Sequence, residues 1–223
     1  MTVAIDGPAG VGKSSVAREL ARRLELSYLD TGAMYRAIAL VADRRNIGEG
    51  DSEALAGLIA EEPLELRPDA LGVARILVAG EDVEGEIRTP KISLLASRFA
   101  VQPVVRRYLV RLQQDFGRRY GAVLEGRDIG TVVFPHSPYK FFLEARPEVR
   151  ADRRVGQLEA SGKPTDRNAI LADILERDRR DRGRTESPLR ADATYTVVDT
   201  SELTLDQVID RVEADIISSR KAP

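Results

Sequence analysis

The run Gly7-Pro8-Ala9-Gly10-Val11-Gly12-Lys13-Ser14 constrains this chain more than any other feature. It has the form G-x-x-x-x-G-K-[ST], and it stands between an apolar strand, Val3-Ala4-Ile5, and an amphipathic helix, Gly12 to Leu24. Chemistry explains the residue types. Glycines let backbone N–H groups turn inward and approach phosphate oxygens closely, and the helix that follows adds the positive end of its dipole. Lys13 is placed to reach β- and γ-phosphates, and the Ser14 hydroxyl, followed by Ser15, can ligate Mg²⁺. A loop of this kind fixes nucleotide binding but not the reaction, because the same loop serves switches, motors and kinases.

The rest of the chain reads as an α/β fold. Short apolar strands alternate with longer amphipathic stretches, the pattern of a parallel sheet with crossover helices. Strands are expected at Ser27-Tyr28-Leu29, Ala122-Val123-Leu124-Glu125, Lys140-Phe141-Phe142-Leu143 and Tyr195-Thr196-Val197-Val198. Helices are expected over Ala33 to Arg44, from Pro147, from Asn168 to about Arg182, and from Thr204 to Ser218. Residues 63–90 break the rhythm. Leu64-Glu65-Leu66-Arg67, a Pro68–Gly72 turn and Val73–Val78 read as strand, turn and strand, an insertion standing off the core. Two helices follow, about 91–100 and 104–119, separated by Pro103.

Composition narrows the chemistry. There is no cysteine, which removes disulfides, zinc–thiolate sites and thiol nucleophiles and fits a reducing cytoplasm. The single histidine, His136, lies between two prolines and reads as a surface-loop residue, so a Ser-His-Asp hydrolase has little to stand on. A net charge of -2 gives no global field for nucleic acid. Residues 146–190 carry eleven arginines and one lysine against nine acids, too mixed for an RNA-binding face. No apolar run is long enough to cross a membrane, and Met1–Asp6 shows no signal pattern. No Asn-Lys-x-Asp run reads guanine, and no apolar strand ends in Asp-Glu as in an ATPase motor. What remains is a small kinase with a mobile acceptor arm, 32–103, and a lid, 146–166. A monomer is expected.

Four segments then carry a resemblance. Asp30-Thr31-Gly32-Ala33-Met34-Tyr35-Arg36, Gly85–Pro90, Gly126-Arg127-Asp128-Ile129-Gly130-Thr131-Val132-Val133-Phe134-Pro135 and Arg177–Arg184 resemble bacterial cytidylate kinases in order and spacing. The likeness runs from Ile5 to about Asp215, and the Gly126–Pro135 run is the most specific part. It implies a three-layer P-loop NTPase-type fold with a central parallel sheet, a small β-containing monophosphate-binding insertion and a helical lid. It also implies transfer of the ATP γ-phosphate, with Mg²⁺, to CMP or dCMP.

The resemblance assigns Arg36, Arg127 and Arg184 to the acceptor phosphate, which suits a guanidinium that grips phosphate bidentately. It assigns Ser97, Arg106 and Asp128 to the base, with Arg107 an alternative to Arg106. A carboxylate at Asp128 would accept from the cytosine 4-amino group and repel the uracil 4-oxygen. Thr31 takes a position where some relatives carry serine. Ile170, Ile174, Arg177, Asp181 and Arg184 lie three and four apart on one helical stripe that begins apolar and turns charged. If the isoleucines face the core, the charges face a cleft. The resemblance gives Asp181 to the ribose and Arg177 to the transferring phosphate. Either Arg153 or Arg154 could reach the β- and γ-phosphates from the lid. The carboxylate behind Mg²⁺ is open among Asp30, Glu125 and Asp128.

Overall fold

The computed structural model describes residues 1–184 and 187–221. Its larger sheet has five strands: β1 (Thr2–Asp6), β2 (Ser27–Asp30), β6 (Ala122–Gly126), β7 (Lys140–Glu144) and β8 (Thr196–Asp199). They lie in the order β2-β6-β1-β7-β8. β1 pairs in parallel with β7, Ile5 opposite Phe141, and β7 pairs in parallel with β8, Phe142 opposite Val197. This is the α/β architecture with a central parallel sheet that the alternation of strands and helices implies. The chain divides into two compact units, 1–2 with 21–124, and 3–20 with 125–223.

In the second unit, β1 buries Val3, Ala4 and Ile5, and helix α1 (Lys13–Arg23) turns Val16, Ala17 and Leu20 inward. Three further helices belong to this unit: α6 (Pro147–Ala160), α7 (Arg167–Arg182) and α8 (Leu205–Lys221). Helix α8 buries Val208, Ile209, Val212 and Ile216, one stripe at helical spacing. Pro147 opens α6 at a position whose N–H has no intrahelical partner to lose, and Asp166 caps α7 by accepting from the Asn168 and Ala169 amides. Between β6 and β7 lies one element that periodicity did not reveal, a π-helical turn over Ile129–Val133.

In the first unit, helix α2 (Thr31–Arg44) is buried on most sides, with Met34, Ala37, Ile38 and Val41 inside, and packs against α4 (Pro90–Phe99). Residues 64–82 form an antiparallel sheet of three strands: β3 (Leu64–Pro68), β4 (Ala74–Val78) and β5 (Glu81–Asp82). Asp69 makes its tight turn by accepting from the Leu71 and Val73 amides. This sheet is joined to β2 by one parallel bridge, Tyr28 opposite Val73. Two details differ from the sequence reading. Helix α3 (Ser52–Glu61) was not anticipated; it buries only Leu55 and Leu58, too little to show as a stripe. Pro103 does not stand between two helices but is the first residue of α5 (Pro103–Tyr120), where its missing N–H is harmless.

Candidate active site

The phosphate loop has the backbone its glycines permit. Gly7, Gly10 and Gly12 have φ of 148°, 77° and 99°, a region that residues with a Cβ rarely adopt. At Gly7 space alone also forbids a side chain, because a Cβ would run into the Leu143 carbonyl oxygen of β7. Lys13, the first residue of α1, is buried and donates to the Pro8 carbonyl at 2.7 Å. Its ammonium is pushed down to about 7, by burial first and then by the nearby Arg127 guanidinium, with Arg177 adding to the effect. Glu125 and Asp6 pull the other way. A lysine depressed by neighbouring guanidinium groups marks a place where cations converge, and a polyanion is what such a group would stabilise. Ser14 and Ser15 are exposed on the first turn of α1, which has no acidic residue to repel phosphate.

Beside the loop, three arginines gather on one carboxylate. Asp181 of α7 is almost wholly buried; it accepts from Arg127 Nε at 2.9 Å and from Arg184 Nη2 at 2.6 Å. Arg177 stands one turn away at 4.0 Å. Burial works to raise the Asp181 carboxyl, but Arg127, Arg184 and Arg177 together hold it below the usual carboxylate range. Along the α7 stripe Ile174 and Asp181 are buried, while Ile170, Arg177 and, just past the helix end, Arg184 are half-buried. Both carboxylate oxygens of Asp181 lie on arginines. Asp128 is buried at the start of the π-helical turn, and its carbonyl accepts from the Val132 amide at 2.9 Å.

The two lid arginines are placed differently. Arg153 donates to the Thr200 hydroxyl at 3.0 Å and to the Thr200 and Val11 carbonyls, so it lies against the phosphate loop's backbone. Arg154 is exposed beside Gln157. A third arginine, which sequence reasoning passed over, is the most buried of all. Arg150 pairs bidentately with Asp178 at 3.0 and 2.6 Å, and also donates to the carbonyls of Ala145 and, in the phosphate loop, Ala9. Asp178, on α7 beside the stripe, is buried as well.

In the other unit, Asp30 caps α2 through the Ala33 amide and holds Arg36 Nη2 at 2.8 Å, which commits that carboxylate. Arg36 Nε is buried without a hydrogen-bond partner, a donor left for something else to satisfy. Thr31 is buried at the first turn of α2. Arg106 is buried, donating towards the Tyr35 hydroxyl and the Ala100 carbonyl at 3.4 Å, whereas Arg107 is exposed. Ser97 is half-buried on α4. His136 is exposed, as its proline-flanked position implied. No helix among the described residues is long and apolar enough to cross a membrane.

A strand–loop–helix phosphate cradle at the end of the central strand of a parallel sheet, with a buried lysine among arginines, defines a P-loop nucleotide-binding protein. A family model described as cytidylate kinase matches residues 3–218. A cytidylate kinase of Syntrophotalea carbinolica is 45% identical over 213 residues, 95% of this chain and 90% of that protein. One of Methylococcus capsulatus is 47% identical over 205 residues, 92% and 91% respectively. Among solved structures, an uncharacterized protein of Eubacterium ventriosum matches with a TM-score of 0.55 at 16% identity, covering 98% of both chains, a likeness of fold alone. The chain belongs to the cytidylate kinase family.

Proposed function

We propose that this enzyme transfers the γ-phosphoryl group of ATP directly to the phosphate of CMP or dCMP, giving ADP and the nucleoside diphosphate. The observation that carries the reading is the convergence of cations: Arg127 and Arg177 depress the buried Lys13, and Arg127, Arg184 and Arg177 gather on the one buried carboxylate of Asp181. Such a cluster is costly until phosphates arrive. Lys13 would exchange the Pro8 carbonyl for the β- and γ-phosphates, regaining its proton as it does so. Arg127 and Arg184 would hold the acceptor phosphate, kept in orientation by Asp181, with Arg177 beside the transferring group. Asp128 would accept from the cytosine 4-amino group. Thr31, Arg36, Ser97 and Arg106 keep the acceptor roles that the resemblance implies, the buried Arg106 being favoured over the exposed Arg107.

The attacking oxygen belongs to a phosphate already ionised at neutral pH. No general base is needed, and catalysis consists of positioning and charge neutralisation. The donor set fits Mg²⁺: the exposed Ser14 hydroxyl, with a carboxylate from Glu125 or Asp128 in the same unit, would hold it, and when bound it would neutralise phosphate charge. Asp30 is spent on Arg36 and the α2 cap. Closure of the 146–166 lid and the 32–103 arm would exclude water. Phosphorus NMR of enzyme, ATP, Mg²⁺ and CMP tests the reading: CDP and ADP should accumulate in equal amounts. Inorganic phosphate with no CDP would mean that the cluster serves hydrolysis instead.

A further inference from the structure

The most specific segment of the sequence, 126–135, is held by three side chains that the chemistry above does not use. Asp6, the last residue of β1, has no exposed surface. Its Oδ1 accepts from the Ile129 amide at 2.9 Å, and its Oδ2 accepts from the Gly130 amide at 2.9 Å and from the Tyr195 hydroxyl at 2.7 Å. Lys140, the first residue of β7, is also buried; it donates to the Gly130 carbonyl at 3.2 Å and the Pro135 carbonyl at 2.6 Å, with its ammonium 5.9 Å from the Tyr195 ring centroid. The turn is thus gripped at both ends. Gly130 has no room to change: a Cβ there would lie 2.6 Å from Lys140 Cδ and 2.7 Å from the Tyr195 oxygen.

A buried carboxylate aimed at two successive amides is an expensive way to fix a turn. Its placement explains the expense. The two amides follow directly on Arg127 and Asp128, so whatever fixes residues 129 and 130 fixes the backbone from which those two side chains project. We infer that Asp6, braced by Tyr195 and Lys140, is a positioning residue for the acceptor: it aims Arg127 at the phosphate and Asp128 at the base through the π-helical turn, without touching either substrate. This rests on the roles proposed above for Arg127 and Asp128. Asp6 adjoins the phosphate loop in sequence, yet the hydrogen bonds it makes here run to the turn and to Tyr195.

Asp6→Asn is the sharpest probe. In either orientation of the amide, its NH₂ group faces a backbone N–H, of Ile129 or of Gly130, in place of an acceptor. Losing one charged hydrogen bond is worth about tenfold or more. The expected result is a KM for CMP raised about tenfold, a KM for ATP changed by less than about twofold, and a preference for CMP over UMP that falls along with it. General structural damage would not move that preference. Tyr195→Phe guards against a variant that does not fold: it removes only one of the three donors and should raise the KM for CMP about threefold, in the same direction. Equal rises in both KM values, or a folded Tyr195→Phe enzyme with unchanged CMP kinetics and preference, would overturn the inference. Asp128→Asn, measured alongside, separates the two layers. If it leaves the CMP-over-UMP preference intact while Asp6→Asn still raises the KM for CMP, Asp128 is not the base reader, and Asp6 acts through Arg127.

Discussion

Replacing Lys13 by methionine should make the protein more stable and nearly inactive. The folded chain holds this lysine at about 7, against an ordinary 10.5, mainly because it is buried and Arg127 is close. A shift of that size corresponds to about 4 kcal/mol of destabilisation at neutral pH. Methionine removes the buried charge but leaves the Pro8 carbonyl without its donor, which costs about 2 kcal/mol. The net gain is therefore about 2 kcal/mol, or roughly 4–8 °C in Tm for a chain of this size. The pH dependence is the stricter check. Between about 7 and 10.5 the unfolded chain keeps the lysine proton and the folded chain does not, so the wild type gains stability as pH rises. The advantage of Lys13→Met should shrink to about zero near pH 9. Activity should fall on the order of a thousandfold, because the variant cannot neutralise the transferring phosphate. Thermal and urea unfolding of both proteins at the two pH values, beside an activity assay, measures all of this. A variant less stable than wild type at pH 7, or an advantage that does not change with pH, would refute the reasoning.

Asp128→Asn should raise the KM for CMP and erode discrimination against UMP, since an amide can donate to the uracil 4-oxygen; unchanged acceptor ratios in steady-state kinetics would count against the assignment. Arg150→Ala strands Asp178 as an unpaired buried charge and should cost about 3–5 kcal/mol in urea unfolding, whereas the double variant Arg150→Met with Asp178→Leu should recover most of it. The double variant should still bind ATP less well, because the brace to the Ala9 carbonyl is gone. Asp6 is raised from 3.8 to about 6, chiefly by burial and against the Tyr195 hydrogen bond. Folding therefore loses stability, on the order of 3 kcal/mol, as pH rises from about 4 through 6, and Asp6→Asn should abolish that part of the slope; identical pH profiles for the two proteins would contradict it.

What the sequence made legible follows from physical constraint. The phosphate loop can be read because its backbone demands glycine where φ is positive and because Lys13 and Ser14 have few chemical substitutes there. The α7 stripe can be read because inward-facing residues must recur every three or four positions, so Ile174 announces Asp181 and Arg184. Pairings that carry no local period stayed hidden. Asp6 meets Ile129 and Tyr195 across 123 and 189 residues, and nothing in their neighbourhoods marks them as partners. A weak signal existed at Asp6, a carboxylate that directly follows the apolar run Val3-Ala4-Ile5. Arg150 and Asp178 looked like the solvated arginines and acids around them, and only the packing of α6 on α7 sets them apart. The π-helical turn fits neither period two nor period three and a half, so pattern reading leaves it as a loop.

The central claim is the acceptor. ADP release should be followed with ATP and Mg²⁺ against CMP, dCMP, UMP, AMP, GMP and shikimate. Strong turnover with CMP and dCMP, weak turnover with UMP and none with the others is the predicted result. Turnover with another acceptor in place of CMP would contradict the account and withdraw the roles given to Asp128 and Asp6, leaving only the phosphotransferase.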